Sequence, residues 1–85
     1  MTYQHFEVDE REGVFHAGVK FSTKKDHPLL KDVGQARAFT EDGALILLRY
    51  DLSKLLENHD RKAAKLRDVI LSIDAHLRQS QPNSL

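Results

Sequence analysis

From Asp51 to Gln79 the chain holds neither Gly nor Pro, and its seam positions run Leu52, Leu56, His59, Ala63, Leu66, Ile70, Ile73, Leu77. The steps alternate four and three, the spacing that lines up side chains on one face of an α-helix. Val69, Leu71 and Ala64 broaden that face, and Glu57–Arg61 and Asp74–Arg78 flank it at the favourable i,i+4 spacing. The pattern predicts a long C-terminal amphipathic helix with a polar, small layer, His59 and Ala63, at its centre. About 28 residues of helix span roughly 42 Å, more than a small sheet can cover. The surplus apolar face therefore calls for a second chain or a fold-back. A parallel coiled coil would set Lys62 against Arg67 of its mate, a clash that an antiparallel pair or a helical hairpin escapes. Asn58-His59-Asp60 is the corner at which such a hairpin would turn, Asn58 ending one helix and Asp60 capping the next. The unbroken helix is the primary expectation and the broken one its alternative.

The N-terminal pattern has a different period. Phe6 and Val8 alternate with polar neighbours, then Phe15, Ala17, Val19 and Phe21 do the same, which predicts an antiparallel β-hairpin within Tyr3–Ser22. Glu10-Arg11-Glu12-Gly13 lies between the two runs, and Gly13 can adopt the left-handed conformation that closes a four-residue loop. In that register Val8 faces Phe15, Phe6 faces Ala17, and both apolar rows fall on one side of the sheet.

Thr23 to Pro28 reads as a charged loop, with a short helical turn expected at Leu29, Leu30 and Val33, begun by Pro28 and cut by Gly34. The segment Gln35–Tyr50 forks. As strands, Ala36–Phe39 and Ala44–Tyr50 flank an Asp42-Gly43 turn and complete a four-strand meander. As a helix, Thr40 is the N-cap, Glu41 and Asp42 occupy a favourable first turn, and Leu45, Leu48 and Leu52 carry the seam backward. The strand form is preferred, because Tyr50-Asp51 makes a natural strand end followed by a cap. Residues 1–79 then form one small α+β domain, and residues 80–85, which include Pro82, form a frayed tail.

Composition narrows the range of roles. With 85 residues the core is modest, and chains of this size commonly need a partner, a metal or a disulfide. There is no cysteine, so disulfides, thiolate metal sites and cysteine nucleophiles are excluded together. Thirteen basic residues balance thirteen acidic ones, so no bulk field draws the chain to nucleic acid or anionic lipid. The first residues show no secretory pattern, and nothing approaches the ~20 apolar residues of a membrane span. A cytoplasmic protein that does not engage membranes is the expectation.

Candidate chemistry is sparse. Phosphate-loop, dinucleotide, nucleophile-elbow and zinc-protease motifs are all absent from the sequence. The hairpin register described above would set Glu7 opposite His16 with His5 beside it, a ligand set that zinc accepts, although a solvated Glu–His contact has the same signature. Lys54, Arg61, Lys62, Lys65 and Arg67 make a basic band that could meet phosphates, but Glu57, Asp68 and Asp74 interrupt it. The expectation is a non-enzymatic protein–protein interaction or regulatory module without a cofactor. It would act through the helix seam as a homodimer or on a larger partner. A nucleic-acid-associated regulator using the basic band is the alternative, and a metal protein built on His5, Glu7 and His16 comes third.

Overall fold

A three-stranded antiparallel sheet, its strands in chain order, carries one long helix, which in turn packs on the C-terminal helix. The elements are β1 (Phe6–Arg11), β2 (Val14–Val19), α1 (Phe21–Asp26), β3 (Ala36–Ala38), α2 (Glu41–Asn58) and α3 (Ala64–Gln79). The computed structural model describes residues 3, 5–26, 30–31, 33–58 and 64–79, with the side chains of Asp26, Ala64 and Lys65 outside that description. The broad class is α+β, as the periodicities indicate.

The hairpin forms with a different register from the expected one. Phe6 pairs with Val19, Val8 with Ala17 and Arg11 with Val14, so the loop has two residues, Glu12 and Gly13, and not four. Both have positive φ, 53° and 82°, the pattern of a type I′ turn, whose twist matches that of the strands it joins. Gly13 N–H also donates to Glu10 Oε2 at 2.8 Å. Tightening the loop slides the strands by two residues. Because side chains alternate with period two, an even slide leaves every apolar position on its intended face. Phe6, Val8, Ala17 and Val19 are accordingly buried. Phe21 is not the end of that row: the strand stops at Val19, and Lys24 N–H donates to Lys20 O as α1 begins.

The fork at Gln35–Tyr50 resolves into one strand and one helix, and no fourth strand forms among the described residues. Ala36–Ala38 pairs with β2, with Phe15 opposite Ala38 and Ala17 opposite Ala36. Thr40 caps α2, its Oγ1 accepting from Gly43 N–H at 3.0 Å while its carbonyl accepts from Ala44 N–H at 3.1 Å. Gly43 thus marks a cap and not a hairpin turn. A Cβ at that position would stand 2.8 Å from the capping oxygen and 3.1 Å from Ala38 Cβ.

The C-terminal region is two helices, not one long helix. α2 ends at Asn58 and α3 begins at Ala64; the proposed corner Asn58-His59-Asp60 is described only at Asn58, so His59, Asp60 and Ala63 lie outside the described residues, as do Pro28, Leu29 and the tail 80–85. The fold-back disposes of the surplus apolar face. Ala44, Leu45, Leu48 and Leu52 of α2 meet the sheet and α3, and Leu66, Val69, Ile70 and Ile73 of α3 complete the core. Leu30 is buried with them, and Val33 N–H donates to its carbonyl. Each large aliphatic side chain so buried contributes roughly 1.5–3 kcal/mol. Asp74 turns toward α2 and pairs with Arg49 Nε at 2.5 Å, in contrast to the local pairing expected with Arg78. No described helix is long and apolar enough to cross a membrane.

Candidate functional site

The side chains of the seam divide between core and margin. Leu52, Leu66, Ile70 and Ile73 are buried within the chain itself, Leu56 and Leu77 are half-buried against the same core, and His59 and Ala63 lie outside the described residues. The seam therefore holds the two helices to each other and to the sheet. Apolar surface remains on the opposite side of α2, where the sequence pattern gave it little weight.

That outward face carries Ile46, Leu47 and Tyr50, exposed by 50%, 46% and 55%, with Lys54 one turn further on. At about 100° per residue, Ile46, Leu47, Tyr50 and Lys54 fall within an arc of about 100° around the helix, while Ala44, Leu45, Leu48 and Leu52 occupy the buried side. Lys54 Nζ sits 5.0 Å from the centre of the Tyr50 ring, a cation–π distance. Its hydrogen bond with Tyr50, and next the charge of that group, raise the ammonium pKa above the usual lysine range, and Glu57 and Asp51 act in the same direction. Phe39, just ahead of the cap, is 84% exposed. The signal for this face was in the sequence. Ile46, Leu47 and Tyr50 are apolar positions that the seam leaves unused once α2 is a helix.

A second cluster fixes the N-terminal end of α2. His76 Nε2 lies 2.9 Å from Glu41 Oε1 and 3.4 Å from the Tyr3 hydroxyl. The His76 ring is 4.5 Å from that of Tyr3 and 6.0 Å from that of Phe6, and Tyr3 stacks on Phe6 at 4.6 Å. Beside these rings is an open cleft of about 270 Å³ lined by Tyr3, Phe6, Ser72, Ala75, His76 and Gln79. Burial, and then the Glu41 carboxylate, push the Tyr3 hydroxyl pKa above its ordinary value. One imidazole nitrogen faces both the acid and the phenol, so the group joins three segments of chain. The hydroxyl of Ser72, also in the cleft lining, donates to Asp68 O at 2.9 Å.

The candidate metal set, His5, Glu7 and His16, is not brought together. Glu7 pairs with Gly18 and His16 with Asp9 across the hairpin, and His5 precedes β1 with its carbonyl accepting from Lys20 N–H. Among the described residues no three His, Cys, Asp or Glu side chains converge on a metal position. Nor is there one basic helix. Lys54 belongs to α2 and exposed Arg67 to α3, while Arg61, Lys62 and the Lys65 side chain lie outside the described residues.

The chain matches no family model, and no curated protein or solved structure is significantly similar to it.

Proposed function

We propose that this protein is a small non-enzymatic interaction module, an adaptor, inhibitor or accessory subunit, whose docking face is the outward side of α2. One observation carries the proposal: Ile46, Leu47 and Tyr50 stand half exposed side by side on a helix whose opposite face is fully buried. Contiguous apolar patches with an aromatic at the centre are typical of protein-binding surfaces, where a Tyr offers a large area with little rotamer entropy to lose. The Glu41–His76 link and the Thr40 cap hold this face in a fixed orientation on the sheet, which lowers the ordering cost of binding.

The test is a photo-cross-linking amino acid at position 47 in the full chain, expressed in its native host, with position 9 on the sheet as control. A discrete cross-linked product from position 47 and none from position 9 is the expected result. Absence of any product from position 47 overturns the proposal.

A further inference from the structure

We infer that the cavity beside α1 is a nucleotide site, with Phe21 stacking on the base and Lys24, Lys25 and Lys31 holding the phosphate. The site is separate from the α2 face and goes beyond the interaction-module reading. An open cavity of about 370 Å³ is lined by these four side chains and, among the described residues, by no carboxylate. Within α1, Phe21, Lys24 and Lys25 fall at i, i+3 and i+4, so they share one face of the helix. Lys31 joins them from the turn that follows, where its neighbour Leu30 is buried and its carbonyl accepts from Val33 N–H. Lys24 Nζ donates to Val33 O at 2.7 Å, which fixes that ammonium at the cavity and leaves it further donors for a ligand.

Two features of this face are not accounted for by folding. α1 buries Thr23, at 4% exposure, and leaves Phe21 in solvent at 75%, the reverse of what burial of apolar surface selects. The lysines are also concentrated: residues 20–33 hold four, with two aspartates, in a chain of zero net charge. Among the described residues Lys25 and Lys31 have no ion-pair partner, so their charges add at the cavity. A phosphate monoester carries nearly two negative charges at neutral pH and accepts from several ammonium groups at once. Lysine meets it as a point charge from any direction, which fits residues drawn from a helix and a turn. Bare phosphate or a small carboxylate would leave Phe21 uncovered. A nucleobase attached to the phosphate covers it, because every base has a flat face that stacks on an aromatic ring. The volume lies near the lower end of the range for small-molecule sites, about 300–1,000 Å³, as a single nucleotide requires. A lipid surface is a poorer occupant, since one aromatic ring and zero net charge give little hold on it.

Amide chemical shifts of the isotope-labelled full chain test the site in titrations with AMP, adenosine and inorganic phosphate. Two further arms use a terminally phosphorylated single-stranded oligonucleotide and vesicles of equimolar phosphatidylserine and phosphatidylcholine. AMP should shift the amides of α1 and of Leu30 and Lys31 saturably, with a Kd on the order of 0.1–1 mM. It should bind about tenfold more tightly than either adenosine or inorganic phosphate. Phe21→Ala should weaken AMP by about tenfold and leave inorganic phosphate unchanged. Lys25→Gln combined with Lys31→Gln should weaken both by about tenfold and flatten the salt dependence. These three side chains are exposed, so the variants should fold, which thermal melting checks; Lys24 is left intact because its bond to Val33 is structural. Tighter binding of the oligonucleotide than of AMP makes the end of a single strand the source of the nucleotide, and equal or weaker binding makes it a free one. AMP that binds no better than inorganic phosphate overturns the inference, because the lysines then accept any anion. So does the lack of a saturable shift at about 10 mM AMP. Vesicle binding that needs Phe21 and the lysines, without AMP binding, also overturns it and assigns the face to a membrane.

Discussion

Glu41 Oε1 and His76 Nε2 stand 2.9 Å apart, tying the first turn of α2 to the last turn of α3 across 35 residues of chain. Both side chains are largely shielded, at 18% and 27% exposure for His76 and Glu41, so the contact escapes much of the screening that weakens surface pairs. A double-mutant cycle with Glu41→Gln and His76→Gln should return a coupling of about 0.5–1 kcal/mol at neutral pH and low salt. Urea unfolding of the four proteins measures it, and strictly additive losses would show that the contact contributes nothing of its own.

The hairpin turn contains a correctable strain. Glu12 has φ of 53°, a left-handed conformation that costs a residue with a Cβ roughly 1–2 kcal/mol, whereas Asn tolerates it and Asn-Gly is the favoured type I′ pair. Glu12→Asn should raise stability by about 0.5–1 kcal/mol. Gly13→Val, at φ 82°, should lower it by more than about 1 kcal/mol. Thermal melts of the two variants moving in the same direction would refute a two-residue turn.

Gly43 offers a test in which helix propensity and local geometry oppose each other. Ala in place of a helical Gly ordinarily gains about 1 kcal/mol. Here the added methyl would meet Thr40 Oγ1 at 2.8 Å and displace the cap, so Gly43→Ala should destabilise by about 1 kcal/mol. In a Thr40→Ala background the oxygen is gone and the same substitution should do less harm. Chemical denaturation of the single and double variants decides the sign.

Tyr3 predicts an alkaline limb in the stability profile. Its hydroxyl titrates above the ordinary value of 10.0 in the folded chain, because burial and then Glu41 disfavour the phenolate. The unfolded chain therefore releases the proton first as pH rises. The Tyr3 contribution is complete below the unfolded pKa and declines as pH climbs from there through the folded one. Tyr3→Phe should flatten stability above pH 10 relative to wild type, as followed by denaturant midpoints at successive pH values. An identical alkaline slope for both proteins would remove Tyr3 from that response.

The parts of this fold that can be read along the chain are those encoded by a local period. Phe6, Val8, Ala17 and Val19 reveal their common face through alternation alone, and that face survives a change of register because the strands slide by an even number of residues. Which register forms depends on turn geometry at Glu12, a residue that carries no left-handed signature. Gly43 misleads for a related reason: Asp-Gly ahead of an apolar run resembles a turn, yet the missing Cβ makes room for Thr40 Oγ1. The seam from Leu52 to Leu77 is visible as a stripe, but a stripe does not say what covers it. The answer depends on a chain reversal beyond Asn58, after which α3 packs on α2. Tyr3, Glu41 and His76 share no motif and meet only through the completed fold, so no sequence signal marks their cluster.

The meeting of Tyr3 with His76 also bears on how long the native state lasts. The two residues are separated by 73 positions, while the turn at Glu12-Gly13 and the cap at Thr40 join near neighbours. Closing a loop that long costs about 2 kcal/mol more chain entropy than closing one of roughly ten residues, so the contact belongs late on the folding path. Interactions absent from the transition state act on the rate of escape from the native basin and leave the rate of entry alone. The ring cluster at Tyr3, Phe6 and His76 is thus a latch on unfolding: loosening it shortens the lifetime of the folded chain and raises its exposure to proteases, without slowing the chain's first acquisition of structure.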